Sequence, residues 1–219
     1  MLPSGKYYVV NNWLADCDKI PGVEVSCFDS INDIHLHNGS FWLLYRLGDA
    51  FEGIHVEGDF PDTILHELRK TCKGMNRDKK LVALNEIISN RYLHNHSWDD
   101  ILYVGLRIGD IYGNRSNRLN DYQYSPEDYR NMKMDVNEKT IVVLCCGSHF
   151  NPNYVKTKTY LKAVYEVFLE KGFKKIIFRI GNSPDDDFVL LSTAKNLIPG
   201  KGNFHKLIHD INKLRNNKE

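Results

Sequence analysis

The stretch IIFRIGNSPDDDFVLLSTAKNLIPGKGNFHKLI, residues 176–208, admits few folds, because strand, turn, helix start, short strand and glycine turn follow one another in it. Ile176, Ile177, Phe178 and Ile180 make a short apolar run stopped by Gly181 and Asn182, the profile of a strand buried on both faces of a parallel sheet. Ser183 is placed as a helix N-cap, with Pro184 at the first helical position and Asp186 three residues after the serine. Phe188, Leu191 and Lys195 fall on one stripe, the lysine suiting the negative end of the helix dipole. Leu197 and Ile198 form a strand that Pro199 and Gly200 end, and after Gly202 a last helix carries Phe204, Leu207, Ile208, Ile211 and Leu214 on one face. A glycine turn before a helix start exposes backbone amides suited to a phosphate. The plainer reading is a tight turn that needs glycine for its dihedral angles.

Upstream the same alternation continues. Residues 141–146 are an apolar strand, and Leu161, Val164, Tyr165, Phe168 and Leu169 mark a helix that Gly172 stops. Residues 101–106 are a buried strand that delivers Arg107, Gly109 and Asp110 at its carboxyl end. The predicted fold is therefore α/β, with a Rossmann-like parallel sheet and helices on both faces over residues 98–219. Its ligand edge collects residues 107–110, 147–153 and 181–187, beside the turn at 200–204. Residues 112–136, polar and rich in tyrosine, read as a long loop of the kind that is often functional. Residues 1–97 are predicted as a smaller, irregular α/β domain, with strands at 7–10, 23–28, 41–45 and 53–56, a helix after Pro61 and another through Leu81, Leu84, Ile87 and Ile88.

Charge decides against an extended polyanionic partner. The 29 lysines and arginines almost cancel the 28 aspartates and glutamates, so no overall field draws in nucleic acid or an anionic membrane. The 5 cysteines have no metal-type spacing and fit a reducing compartment, with Cys145 and Cys146 as buried small residues. No segment reaches the ~20 apolar residues of a membrane span, and no leader pattern opens the chain, so a cytoplasmic location is expected.

With Gly105 two residues before Arg107, the sequence Leu106-Arg107-Ile108-Gly109-Asp110 resembles the H-x-R-x-G-D segment of the fucosyltransferase superfamily that includes the protein O-fucosyltransferases. Downstream, Asp187, Leu191, Ala194, Leu197, Ile198 and Phe204 resemble, in order, that superfamily's D-x-x-x-L-x-x-A-x-x-F-I-x-x-x-x-S-x-F segment. The resemblance covers residues 101–214. It implies a short, divergent GT-B-like glycosyltransferase, metal-independent and inverting, with an acceptor-side domain at 1–97 and a nucleotide-sugar domain at 98–219. The donor it implies is a nucleotide-diphosphate sugar, a GDP-sugar by preference, carrying fucose or a similar sugar, and the acceptor a glycan or protein. Arg107 would meet the charge that grows on the departing diphosphate, a role that suits a fixed, two-pronged guanidinium. Asp110 and His149 are candidates for the catalytic base. Donor contacts are expected from Gly109, Gly147, Ser148, Arg179, Asp187, Gly200, Gly202, Asn203 and Phe204. Two departures stand out: Gly105 occupies the place of the motif histidine, and Asn203 the place of a serine.

Other chemistries have weaker support. The triplet Asp185, Asp186 and Asp187 offers a D-x-D, which would bind metal in the other major glycosyltransferase fold, but it lies near the carboxyl end, and Asp185 and Asp186 suit a helix start; Asp16 and Asp18 come too early. The pairs His35 and His37, His94 and His96, and His205 and His209 have no carboxylate or cysteine completing a ligand set, so they are expected to face solvent. Residues 147–153 faintly resemble the G-x-F-x-P-x-H turn of nucleotidylyltransferases. A non-catalytic nucleotide-binding module is the remaining alternative, and Gly105 is the residue that sustains it.

Overall fold

The computed structural model of the chain describes residues 5–10, 23–28, 74–91, 100–112, 119–136, 140–148, 154–182 and 184–216. The strands expected at 41–45 and 53–56, the helix after Pro61, the N-cap Ser183, His149 and the boundary at residue 97 lie outside them. The described elements begin with β1 (Gly5–Val10), β2 (Val23–Phe28), α1 (Arg77–Arg91) and β3 (Ile101–Ile108). A 3₁₀ turn (Asp110–Tyr112), α2 (Leu119–Tyr122) and α3 (Pro126–Asn131) lead to β4 (Ile141–Ser148). Then come α4 (Tyr154–Glu170), β5 (Lys175–Ile180), α5 (Pro184–Thr193), β6 (Asn196–Ile198) and α6 (Asn203–Asn216).

The strands form one six-stranded sheet in the order β2-β1-β5-β4-β3-β6. β5, β4, β3 and β6 run parallel, β1 is antiparallel to β5, and β2 is parallel to β1. The chain thus steps outward from β3 to β4 to β5 and then crosses back to place β6 on the other side of β3, as in a Rossmann-like sheet. Strands from both sides of residue 97 share this sheet.

Strand periodicity sorts the core into two layers. Tyr103, Val143, Cys145 and Ile177 point to the face covered by α1, α5 and α6, where Leu84, Ile88, Phe188, Leu191, Ile208 and Ile211 pack. Val104, Leu106, Val142, Leu144, Cys146, Ile176 and Phe178 point to the opposite face, beneath Tyr129 of α3 and Leu161, Val164 and Phe168 of α4. A strand covered on both faces is apolar at nearly every position, which is why these read as near-continuous hydrophobic runs, with Arg179 of β5 as a buried exception.

Two expectations change. Part of the segment 112–136 is helical: Ser125 caps α3 in a reciprocal capping box with Asp128, and Pro126 begins it. Aromatic anchors hold this part down. Tyr129 is buried against Tyr124 and Phe168 at centroid distances of 5.6 and 5.9 Å, and the Tyr160 hydroxyl donates to the Tyr124 carbonyl at 2.9 Å. The second change is at α5, which ends at Thr193 and so excludes Lys195 from its last turn. The terminal carbonyls are answered instead by the Asn212 side chain, whose amide donates to Ser192 O at 3.3 Å and Ala194 O at 2.7 Å.

Candidate functional site

Where β6 crosses to the far side of β3 the strand order reverses, and the region beyond the carboxyl ends of the strands at such a switch point is where open α/β sheets take their ligands. Arg107, next to last in β3, sits there, followed by Gly109 at φ 83°. Across from it, β6 runs through Pro199, Gly200, Lys201 and Gly202, the last at φ 89°, into the start of α6. Gly147 and Ser148 end the neighbouring strand, in register with Arg107 and Ile108.

The residues 119–124, expected as loop, clasp this edge. The Gln123 side-chain amide donates to the Arg107 carbonyl at 2.6 Å and to the Tyr112 hydroxyl at 2.7 Å. Arg107 itself is half-buried, its guanidinium carbon 5.7 Å from the centre of the Tyr122 ring. Tyr122 also borders Gly202, where an added Cβ would lie 3.3 Å from Cδ1. Lys201 lies 4.5 Å from the Tyr124 ring centre and donates to Asn120 O at 3.0 Å. The tyrosines of this segment thus stand beside two cations at the switch point.

His205 corrects the expectation that it faces solvent: it is only 4% exposed. Its position on the α6 stripe with Ile208 and Asn212 turns it inward, and two glycines make room for it. A Cβ on Gly105 would lie 2.4 Å from its Cε1 and 2.6 Å from its Nδ1. A Cβ on Gly200 would lie 2.6 Å from Cδ2 and 2.7 Å from Nε2, as well as 2.7 Å from the Gly105 carbonyl oxygen. Gly200 therefore serves a close approach of backbone, backbone and imidazole. Nδ1 is buried with no hydrogen-bond partner. Burial, helped by the nearby Arg107 charge, pushes the imidazole down to about 3, so it is neutral at pH 7.

That burial has a stability consequence. A histidine whose pKa is lowered by folding binds its proton more tightly in the unfolded chain, so stability falls as pH drops below about 6.5 and keeps falling toward 3. By pH 4.5 the loss from His205 is on the order of 2–3 kcal/mol. Urea unfolding at pH 7 and 4.5 should show a drop smaller by about this amount in His205→Asn. Equal drops in the two proteins would mean that His205 is not held neutral in the fold.

Arg179 and Asp187 are brought together, away from the switch point. The Arg179 Nε donates to Asp187 Oδ1 at 2.7 Å and Nη1 donates to the Tyr7 hydroxyl at 3.0 Å, with Arg179 only 2% exposed. β5 is separated from β3 by β4, so this pair stands two strands from Arg107. Burial pushes the Asp187 carboxyl up to about 6 against the pull of Arg179. Burial alone would lower the guanidinium, but Asp187 and Tyr7 outweigh it and hold Arg179 protonated. The two side chains expected as donor contacts face each other in the interior.

Asn203 and Phe204 open α6, and the Phe204 ring packs edge-on to Phe188 at 5.9 Å. Asp110 opens the 3₁₀ turn directly after the Arg107 strand. Among the described residues no group of three or more His, Cys, Asp or Glu is arranged to hold a metal ion, and no helix is long and apolar enough to cross a membrane. Asp187, one end of the D-x-D, is turned into the core. Sequence reasoning missed Tyr122, Gln123 and His205; the pairing of glycines at 105 and 200 with a histidine on the last helix was the only available signal. No family model, curated protein or solved structure matches the chain.

Proposed function

We propose that the chain is a GT-B-like, metal-independent, inverting glycosyltransferase that takes a sugar from a nucleotide-diphosphate donor, GDP-sugar by preference, to a glycan or protein acceptor. The observation that carries this reading is the placement of Arg107 at the β3/β6 switch point, across from the Gly200–Gly202 turn and the first turn of α6. Breaking a sugar–phosphate bond leaves charge on the diphosphate, and a guanidinium beside helix-start amides, which have no partner within the helix, suits that charge. Gly109, Gly147 and Ser148 border the same edge. Asp110 is the base candidate among the described residues, and His149, the next residue in sequence after β4, is the other. The Arg179–Asp187 pair has no part in this scheme.

Guanosine diphosphate should raise the melting temperature in the presence of a chelator, since a ligand at a hundred times its dissociation constant adds about 2.7 kcal/mol. Stabilisation that appears only with manganese would favour the metal-dependent D-x-D reading. Gly105, which leaves β3 without an imidazole of its own, favours the second reading, a non-catalytic nucleotide-binding module. Binding of donor with no transfer and no slow donor hydrolysis would decide for that module.

A further inference from the structure

We infer that His205 is a ligand-binding residue of the switch-point site, its neutral imidazole donating Nδ1–H to an oxygen of a bound diphosphate. The inference rests on the proposed nucleotide-diphosphate reading of this site and adds a residue to it. Three observations meet at this side chain. Nδ1 is buried without a hydrogen-bond partner, a state whose cost in an interior calls for an explanation, and an absent ligand group supplies one. The ring occupies a slot that exists only because residues 105 and 200 both lack a Cβ; Gly105 is the fifth of eight residues of β3, one beyond its last pairing with β6, and Gly200 is in the turn after β6. The slot lies in the first turn of the 14-residue α6, where backbone amides are left unbonded by the helix, and beside the positive Arg107.

These surroundings select the ligand's chemistry. Helix-start amides and a guanidinium call for an anion, so the group reaching Nδ1 is an acceptor and the imidazole must be the donor. A neutral ring supplies that donor from its Nδ1–H tautomer without adding a second buried cation beside Arg107. Packing between Gly105 and Gly200 removes the rotamer freedom that a surface histidine would lose on binding. Gly105 thereby gains a function of its own, since it admits an imidazole from α6 to the edge of β3.

The test follows ring nitrogens by nitrogen-15 NMR while wild-type protein is titrated with inorganic pyrophosphate and, separately, with guanosine diphosphate. The His205 signals are those lost in His205→Gln. The Nδ1 resonance should move on saturation with either probe, because the diphosphate is their common part. In binding titrations, the amide nitrogen of His205→Asn comes nearest to the position of Nδ1, whereas that of His205→Gln comes nearest to Nε2. Asn should therefore bind within about threefold of wild type and Gln roughly tenfold or more weaker. A silent Nδ1 with guanosine diphosphate bound, or a shift with the nucleotide alone, overturns the inference and leaves the nucleotide reading standing. Failure of the wild-type protein to bind either probe overturns both.

Discussion

Replacing Arg107 by alanine should lower sugar transfer by roughly 10²–10³-fold, about 2.7–4 kcal/mol in barrier, while weakening diphosphate binding far less. Only interactions that strengthen as the bond breaks accelerate the step, so a group that meets growing charge shows itself in turnover rather than in ground-state affinity. The structure gives this side chain the fixed setting such a role requires. Its backbone carbonyl is held by Gln123, its guanidinium stands over Tyr122, and the neutral His205 adds no competing charge. Lysine should not rescue it, because an ammonium lacks the planar fork and the face that stacks on an aromatic ring. Arg107→Lys is expected well below wild type and Arg107→Ala lower still, measured by transfer, or by donor hydrolysis where no acceptor is known. Equal rates in the three proteins would take Arg107 out of the mechanism and remove the main support for a transferase at this edge.

What was legible in the sequence follows the range of the forces involved. β3, β4 and β5 are visible because burial on both faces calls for near-continuous apolar runs, and α4 because one stripe meets the sheet. The C-terminal edge follows from the parallel order of those strands, which puts Arg107 and Gly147 side by side. The contacts that cross between elements are not written locally. Asn212 capping α5, Gln123 holding the end of β3 and His205 filling a slot between two distant glycines each depend on a partner far along the chain. The same applies to the 119–124 segment, whose polar composition suggests a loop until Tyr112, Tyr129 and Tyr160 are seen to anchor its surroundings. The pairing of Arg179 with Asp187 is hidden for a related reason. A charged residue near a strand end looks like a ligand contact when its partner lies on the following helix and only packing brings the two face to face.

Asp187→Ala should cost about 3–5 kcal/mol, because it removes the carboxylate that faces the Arg179 guanidinium in an interior where water cannot replace it. Against a typical total of about 5–15 kcal/mol, a loss of that size lowers the melting temperature by roughly 6–20 °C in a chain of this length. The Tyr7 hydroxyl remains beside the guanidinium but carries no charge to oppose it: burial, partly countered by Arg179, raises its pKa to about 12. Removing both charges should behave differently. Arg179→Met with Asp187→Leu eliminates two desolvation penalties at once, so the double variant should regain most of the lost stability. Urea unfolding of the single and double variants checks this, and an Asp187→Ala loss within about 0.5 kcal/mol would mean that the pair is not shielded from water. The double variant also separates structure from binding, since it should hold guanosine diphosphate as well as wild type does if the pair serves only the core. A stable double variant that no longer binds the nucleotide would return Arg179 and Asp187 to the donor site and extend the ligand edge across β4 to β5.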